Sequence, residues 1–261
     1  MAVYINDCPT LFKKALESVD QNTLTPDEII LVCDGPLTDE LEEVIIHFEK
    51  KNNNLKCIRL KSNQGLANAL NIGLEHARHE FILRADSDDI NMPNRFEKQI
   101  KILNEGYDLI SSDIEEIDED GNHLSFKRLP YISAEILRYA KKRSPFNHPS
   151  TAFRKTIVKQ AGGYPEIHLK EDYALWAKIL SKGAKIMNSS DILVKATTGK
   201  SMFERRGGLK YALAELELQT LLVNLKQKTL LSGVLDFFGR AFIFLLPNKI
   251  RSFIYYRLLR K

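Results

Sequence analysis

Apolar and polar positions alternate between two periods along the first third of the chain. Leu11, Phe12, Ala15, Leu16 and Val19 recur at the spacing of one helix face behind Pro9, a residue suited to a first helical turn. Glu28-Ile-Ile-Leu-Val32 then reads as a buried strand that stops at Cys33-Asp34-Gly35-Pro36. A helical pattern over 39–51 follows, then a strand over 57–60, the loop Asn63-Gln-Gly65, a helix to about residue 78 and a strand over 81–85. Strands alternating with helices of this length predict an α/β fold with a parallel sheet and right-handed crossovers. Loops that follow the strands share one rim. That rim collects Asp34, Asn63, Gly65, Asp86 and Asp88 from three strand ends.

Past Pro93 the regularity loosens. Residues 109–117 alternate in part, Asp120-Gly121 is a hairpin-type turn, and 123–126 reads as its return strand. A helix is expected from Pro130 to residue 142, followed by an irregular stretch over 144–150 that contains His148. Gly162-Gly163 marks a flexible loop, and Glu171-Asp-Tyr-Ala-Leu-Trp176 opens a helix. From Gly208 the pattern is helical throughout, which predicts an α/β domain over 1–206 and a helical extension over 207–261.

With 44% hydrophobic and 28% charged residues the chain belongs to the ordinary globular class. Its net charge of +4 is unevenly placed: Lys249, Arg251, Arg257, Arg260 and Lys261 crowd the last thirteen residues, which hold no acid. The body lacks the basic stripe of a nucleic-acid binder, so no nucleic-acid partner is expected. Cys8, Cys33 and Cys57 have no metal-ligand spacing, and their odd number argues against a disulfide framework and for a reducing, cytoplasmic setting. No apolar run reaches the roughly twenty residues of a membrane-spanning helix.

The chemistry is densest at Phe81-Ile-Leu-Arg-Ala-Asp-Ser-Asp-Asp89, where an apolar strand runs into three carboxylates. Crowded carboxylates raise one another's pKa unless a positive group joins them, and a divalent cation is a common partner. Asp86 and Asp88 are two apart, so on extended chain they face one way, at the strand end where open α/β sheets bind ligands. An acidic turn, with Asp88 or Asp89 capping the helix near Pro93, is the competing reading.

Six segments in order resemble the family 2 glycosyltransferases across residues 1–210: Asp34-Gly35, Asn63-Gln-Gly-Leu-Ala-Asn-Ala-Leu-Asn-Ile-Gly73, Asp86-Ser-Asp-Asp89, Pro93-Asn-Arg95, Glu171-Asp172 with Leu175-Trp176, and Met202-Phe-Glu-Arg-Arg-Gly207. The resemblance implies a GT-A, Rossmann-like fold. It also implies transfer of a sugar, from a UDP-hexose, to a growing glycan or lipid-linked acceptor in bacterial surface polysaccharide synthesis. The transfer would invert the anomeric carbon and use Mg²⁺ or Mn²⁺. Two departures stand out. Met1-Ala-Val-Tyr4 supplies only part of the family's first strand, so that strand is expected to be truncated, with its remainder encoded upstream. Cys33 replaces the first of two adjacent acids, which leaves Asp34 alone to meet the nucleobase.

The roles implied by the resemblance follow the needs of the reaction. A leaving diphosphate gains charge as the sugar bond breaks, which a divalent cation on Asp88 and Asp86 offsets. Tyr4, Asp34, Asn63, Gly65 and Asp86 are the donor-binding candidates, with Arg205 and Arg206 as a phosphate clamp. The acceptor hydroxyl needs a proton acceptor, which carries over to Asp172 with Glu171 beside it. His148 and Trp176 are assigned to the acceptor side, and Arg95 either braces the carboxylates or lies on the exposed side of its helix. A nucleotide-binding scaffold without catalysis and a metal-dependent nucleotidyltransferase are the rival readings. Val234-Leu-Asp-Phe-Phe-Gly-Arg-Ala-Phe-Ile-Phe-Leu-Leu246 is apolar yet interrupted by Asp236 and Arg240. With the basic helix pattern after Pro247 it fits an interfacial segment on an anionic membrane, on the cytoplasmic face. A packed helical cap or a homodimer contact is the alternative.

Overall fold

The computed structural model describes residues 1–199, 207–246 and 251. The chain begins with β1 (Ala2–Val3), α1 (Pro9–Asp20), β2 (Ile29–Cys33), α2 (Asp39–Lys51), β3 (Leu55–Arg59) and α3 (Leu66–His76). The three strands form a parallel sheet in the order β1-β2-β3, with Ala2 opposite Val32 and Ile29 opposite Leu55. β2 is apolar on both faces, as a central parallel strand must be. Leu31 packs with Phe12, Leu16, Leu41, Ile45 and Phe48, while Val32 joins Ala69 and Leu70 of α3 in a second cluster. Thr38 caps α2 by accepting the Leu41 amide, and Asp39, Glu40 and Glu42 suit the positive end of that helix.

The chain continues through β4 (Phe81–Leu83), β5 (Ile90–Asn91), α4 (Arg95–Asn104), β6 (Leu109–Ile117), β7 (His123–Lys127), α5 (Ser133–Tyr139), β8 (Ala152–Arg154), α6 (Lys155–Gln160), α7 (Glu171–Ser181) and β9 (Ile186–Thr197). Helices α8 (Leu209–Asn224) and α9 (Leu230–Phe244) follow. The later strands build a mixed sheet ordered β4-β8-β6-β9-β5, with β7 on β6, in which only β6 and β9 run parallel. The strand at 81–83 therefore does not close the parallel series that the sequence predicts. β4 pairs antiparallel with β8, and among the described residues no ladder joins it to β1, whose two residues offer few backbone groups to share. The sheets meet through side chains instead: Met1, Val19, Ile29, Leu83, Ala85 and Phe96 form one apolar cluster.

Helix α7 sits at the centre. Leu175, Trp176 and Ile179 are wholly buried in the main core, while Tyr173, Ala174 and Ala177 pack on Leu218 and Leu222 of α8. Burial of each such Leu or Ile contributes about 1.5–3 kcal/mol, so α8 is fastened to α7 rather than resting on it. No helix among the described residues is long and apolar enough to cross a membrane.

Candidate active site

β2 runs out at Asp34, which is nearly buried and turned across the rim. Its two carboxylate oxygens accept the amides of Gln64 at 2.6 Å and Gly65 at 3.0 Å, and Asn63 Nδ2 donates to the Asp34 carbonyl at 3.3 Å. Gly35 permits this approach: its φ is +92°, and a Cβ there would lie 2.7 Å from the Asn63 nitrogen. Asp34 is thus first a brace for the loop ahead of α3, and about two of its four lone-pair sites remain for a ligand. Tyr4 is half-buried beside it. The Tyr4 amide donates to Asp7 at 3.1 Å, and Ser87 Oγ donates to the same oxygen at 2.9 Å, which ties the first loop to the acidic one.

The chain leaving β4 carries Arg84 and Asp86 onto the same rim. The buried Arg84 guanidinium donates to the Ala85 carbonyl and to the Asp86 carboxylate. Burial acts to raise Asp86, but Arg84 first and His148 next outweigh it and hold the carboxyl below its ordinary range. Asp88 goes the other way. It keeps an exposed surface, yet desolvation first, and then the carboxylates of Asp86 and Asp7, push it up to about 7. Asp89 is buried, raised by burial and by Asp88, and accepts the Thr197 amide at 2.7 Å. Neither acid caps the following helix, whose N-cap is Asn94. Arg95 is not on an exposed face and does not bond the carboxylates. It is fully buried and donates to Asn91, to Gln99 at 2.9 Å, and to the carbonyls of Arg84 at 2.6 Å and Thr151 at 3.2 Å. It fixes the backbone that carries Arg84.

The opposite wall comes from α7, whose first turn holds Glu171 and Asp172, where the helix dipole favours carboxylates. Burial first and Asp172 second push Glu171 up to about 7. Asp172 accepts Ser144 Oγ at 3.4 Å. His148 stands in a short 3-10 turn, with Nε2 3.1 Å from the Tyr164 hydroxyl and its ring 5.9 Å from that of Trp176. Desolvation, then Arg84, lowers His148 to about 4, so the ring is neutral at pH 7. Trp176 is the correction on this wall. Expected beside an acceptor, it is fully buried under Phe146, Phe153, His148 and Tyr164, and serves as their floor.

Helix α3 is joined to the Gly162-Gly163 loop by a residue to which the sequence reading gave no role. Asn71 on α3 donates to the Tyr164 carbonyl and accepts the Tyr164 amide, both at 2.8 Å. Gly163 makes room for it, since its φ is +74° and a Cβ would lie 2.6 Å from Asn71 Oδ1. The Gly162-Gly163 loop, read as flexible, is therefore pinned. Asn71 lies inside the Asn63–Gly73 segment that carries the resemblance, and is polar directly after the core positions Ala69 and Leu70, but nothing in that pattern names Tyr164 as its partner.

Asp86, His148, Glu171 and Asp172 consequently share one neighbourhood around Arg84 and Tyr164, and the charges of Arg84, Asp86 and Asp172 all act on His148 and on Tyr164. Tyr4, Asp34, Asn63 and Gly65 lie on adjoining loops of the parallel sheet. Arg205 and Arg206 lie outside the described residues. Among the described residues no group of three or more His, Cys, Asp or Glu forms a ready-made cation cage. The donors fit another arrangement, in which one or two carboxylates hold Mg²⁺ or Mn²⁺ together with a substrate's phosphates. Asp88, crowded by Asp86 and Asp7, is the carboxylate whose charge such a cation would relieve.

A family model described as "Glycosyl transferase family 2" matches residues 2–162. The chain is 39% identical over 264 residues to "UDP-Gal:alpha-D-GlcNAc-diphosphoundecaprenol beta-1,3-galactosyltransferase" of Escherichia coli, covering 100% of this chain and 95% of that protein. It is 37% identical over 257 residues to "Amylovoran biosynthesis glycosyltransferase AmsE" of Erwinia amylovora, covering 98% and 96%. The crystal structure of S. aureus TarS 1-349 in complex with UDP-GlcNAc is similar at a TM-score of 0.71 and 19% identity, over 98% of this chain and 75% of TarS 1-349. That likeness speaks to the fold alone. The family match spans more than half of the chain and the relatives align along nearly their whole length, so the chain belongs to glycosyltransferase family 2 and adopts the GT-A fold.

Proposed function

We propose that this protein is an inverting, divalent-cation-dependent hexosyltransferase that moves a sugar from a UDP-sugar to a lipid-linked glycan acceptor in bacterial surface polysaccharide synthesis. The observation that carries the proposal is the meeting of the acidic strand end, Asp86 and Asp88, with the acid pair Glu171 and Asp172 across His148 and Tyr164. Tyr4, Asp34, Asn63 and Gly65 form the nucleoside side, and Arg205 and Arg206 are assigned to the diphosphate. Asp88 with Asp86 would hold Mg²⁺ or Mn²⁺, which supplies charge neutralisation for the leaving diphosphate when bound. Asp172 takes the proton of the acceptor hydroxyl as its oxygen attacks the anomeric carbon, and UDP departs from the opposite side. One displacement inverts that carbon, with no sugar-enzyme bond. His148, neutral at pH 7, contributes a hydrogen bond rather than a charge.

The Escherichia coli relative supports UDP-galactose as the first donor to try and an N-acetylglucosamine diphosphate lipid as the first acceptor. We also assign the work to an anionic membrane surface, with the protein peripheral on the cytoplasmic face. Leu231, Leu235, Phe238, Phe242 and Leu245 fall on one stripe of the α9 segment and are 58–70% exposed. The exposed Lys141, Lys142 and Arg143 adjoin α9, where Arg240 donates to the Lys142 carbonyl. An apolar stripe beside basic residues suits an anionic lipid surface.

The deciding experiment incubates the purified protein with Mn²⁺, a short-chain N-acetylglucosamine diphosphate lipid and a panel of UDP-, GDP- and dTDP-sugars. Release of UDP with a β-linked product from an α-linked donor is the expected result. Retention of configuration, pyrophosphate release, or tight UDP binding without turnover would each overturn the reading.

A further inference from the structure

Lys170 immediately precedes the acid pair and is the N-cap residue of α7; its carbonyl accepts the Ala174 amide at 3.0 Å. A lysine is the wrong charge for that place. The helix end is positive, and two carboxylates follow at once, so an unrestrained ammonium would turn to Glu171 or Asp172. Instead the side chain is drawn away and is only 8% exposed. Its Nζ lies 2.8 Å from Glu215 of α8, 4.1 Å from the ring centre of Tyr211 and 5.3 Å from that of Phe244 on α9. Glu215 is itself wholly buried, and also accepts Gln219 Nε2 at 2.6 Å and Arg240 Nη1 at 3.1 Å.

The backbone carries the mark of this arrangement. Leu169, just before Lys170, has φ +55°, a left-handed conformation that a non-glycine residue keeps where its surroundings impose it. The other charged groups around these residues are Arg84 on the side of the acid pair, His168 and Lys210 near Lys170, Arg240 beyond Glu215, and the paired Lys228 and Asp236, of which Lys228 donates to Gln219. Among the described residues, Glu215 is the acid bound to Lys170.

We propose that Glu215 is a positioning residue for the transfer step, which holds the Lys170 ammonium in an aromatic pocket between α8 and α9 and so keeps it from neutralising Glu171 and Asp172. The proposal rests on the reading of that acid pair as the proton acceptor. It gives α8 and α9 a part in catalysis through Lys170.

The test uses the full chain with UDP-galactose, Mn²⁺ and an N-acetylglucosamine diphosphate lipid, in four variants: Glu215→Gln, Lys170→Met, the double variant, and Asp172→Asn as reference. Glu215→Gln should bind UDP within about twofold of wild type, lose about tenfold or more in kcat, and move the acidic limb of its pH profile downward, because a nearby ammonium keeps the base ionised and weak. Lys170→Met, which leaves Glu215 with Arg240, and the double variant should both return to within about threefold of wild type, with the limb restored. A Glu215→Gln enzyme with wild-type kcat and limb overturns the inference, as does a double variant as impaired as the single one. Should Glu215→Gln fail to fold, a folded Lys170→Met enzyme slowed tenfold overturns it equally. An active Asp172→Asn enzyme would instead sink the reading of the acid pair, whatever Glu215 does.

Discussion

The three acids of the 86–89 loop show how far position separates identical side chains. Asp86 is paired with Arg84, Asp89 is spent on the Thr197 amide, and Asp88 is left crowded and raised to about 7. Asp88→Ala is therefore expected to leave the urea midpoint unchanged and to lower Mn²⁺-supported UDP release by about 100-fold or more. Transfer that persists in EDTA would return Asp88 to an ordinary surface role. Asp172→Asn keeps the size of the side chain but cannot accept a proton, so UDP affinity should hold while kcat falls by about 10²–10⁴-fold; a variant within threefold of wild type would move the base away from this acid pair. The pH dependence has a definite sign. Glu171 is raised to about 7, so the carboxyl is neutral below that pH and charged above it. With Asp88 also raised to about 7, turnover should rise between pH 5 and 8 through a midpoint near 7, and Glu171→Gln should displace the part of that limb that Glu171 sets.

At the scale of elements, legibility tracks how simply each one is buried. α1 and α2 each bury one helical face and β2 is an unbroken apolar run, and the sequence located all three. β9 escaped notice because its pairing with β6 shifts register around Asp113, so no clean alternation survives, and polar Ser111, Ser112 and Asn188 are buried inside the sheet. The site was legible where motifs fall at strand ends and helix starts, and illegible where one side chain ties distant elements, as Asn71 and Glu215 do. Asn71→Leu should strip both backbone groups of Tyr164 of their partner and cost about 1–3 kcal/mol in urea denaturation, with a raised acceptor KM. For α9 the measurement is flotation. The full chain should rise with phosphatidylglycerol vesicles and less so in high salt, whereas Phe238→Ser/Phe242→Ser should stay behind with unchanged turnover on a water-soluble acceptor. Self-association without flotation would give the stripe to a second copy.

At the scale of the molecule, the two sheets share no ladder among the described residues and meet through apolar packing, in the main core around Val32 and Leu109 and in the cluster around Met1, Leu83 and Phe96, with single side-chain bonds such as Ser87 to Asp7 and Asn71 to Tyr164 across the joint. Apolar contacts resist separation better than sliding, because they have no preferred direction. Tyr4, Asp34 and Asn63, proposed for the nucleoside, belong to one side of that joint, and Asp86, Asp88 and Asp172 to the other. A bound donor would thus act as a crosspiece between two plates that no shared ladder holds in register. The chain should stiffen when it loads: UDP with Mn²⁺ at a hundred times its Kd adds about 2.7 kcal/mol to unfolding by mass action alone. Amide exchange should slow most in β1 and β4, the two strands that flank the cluster of Met1 and Leu83.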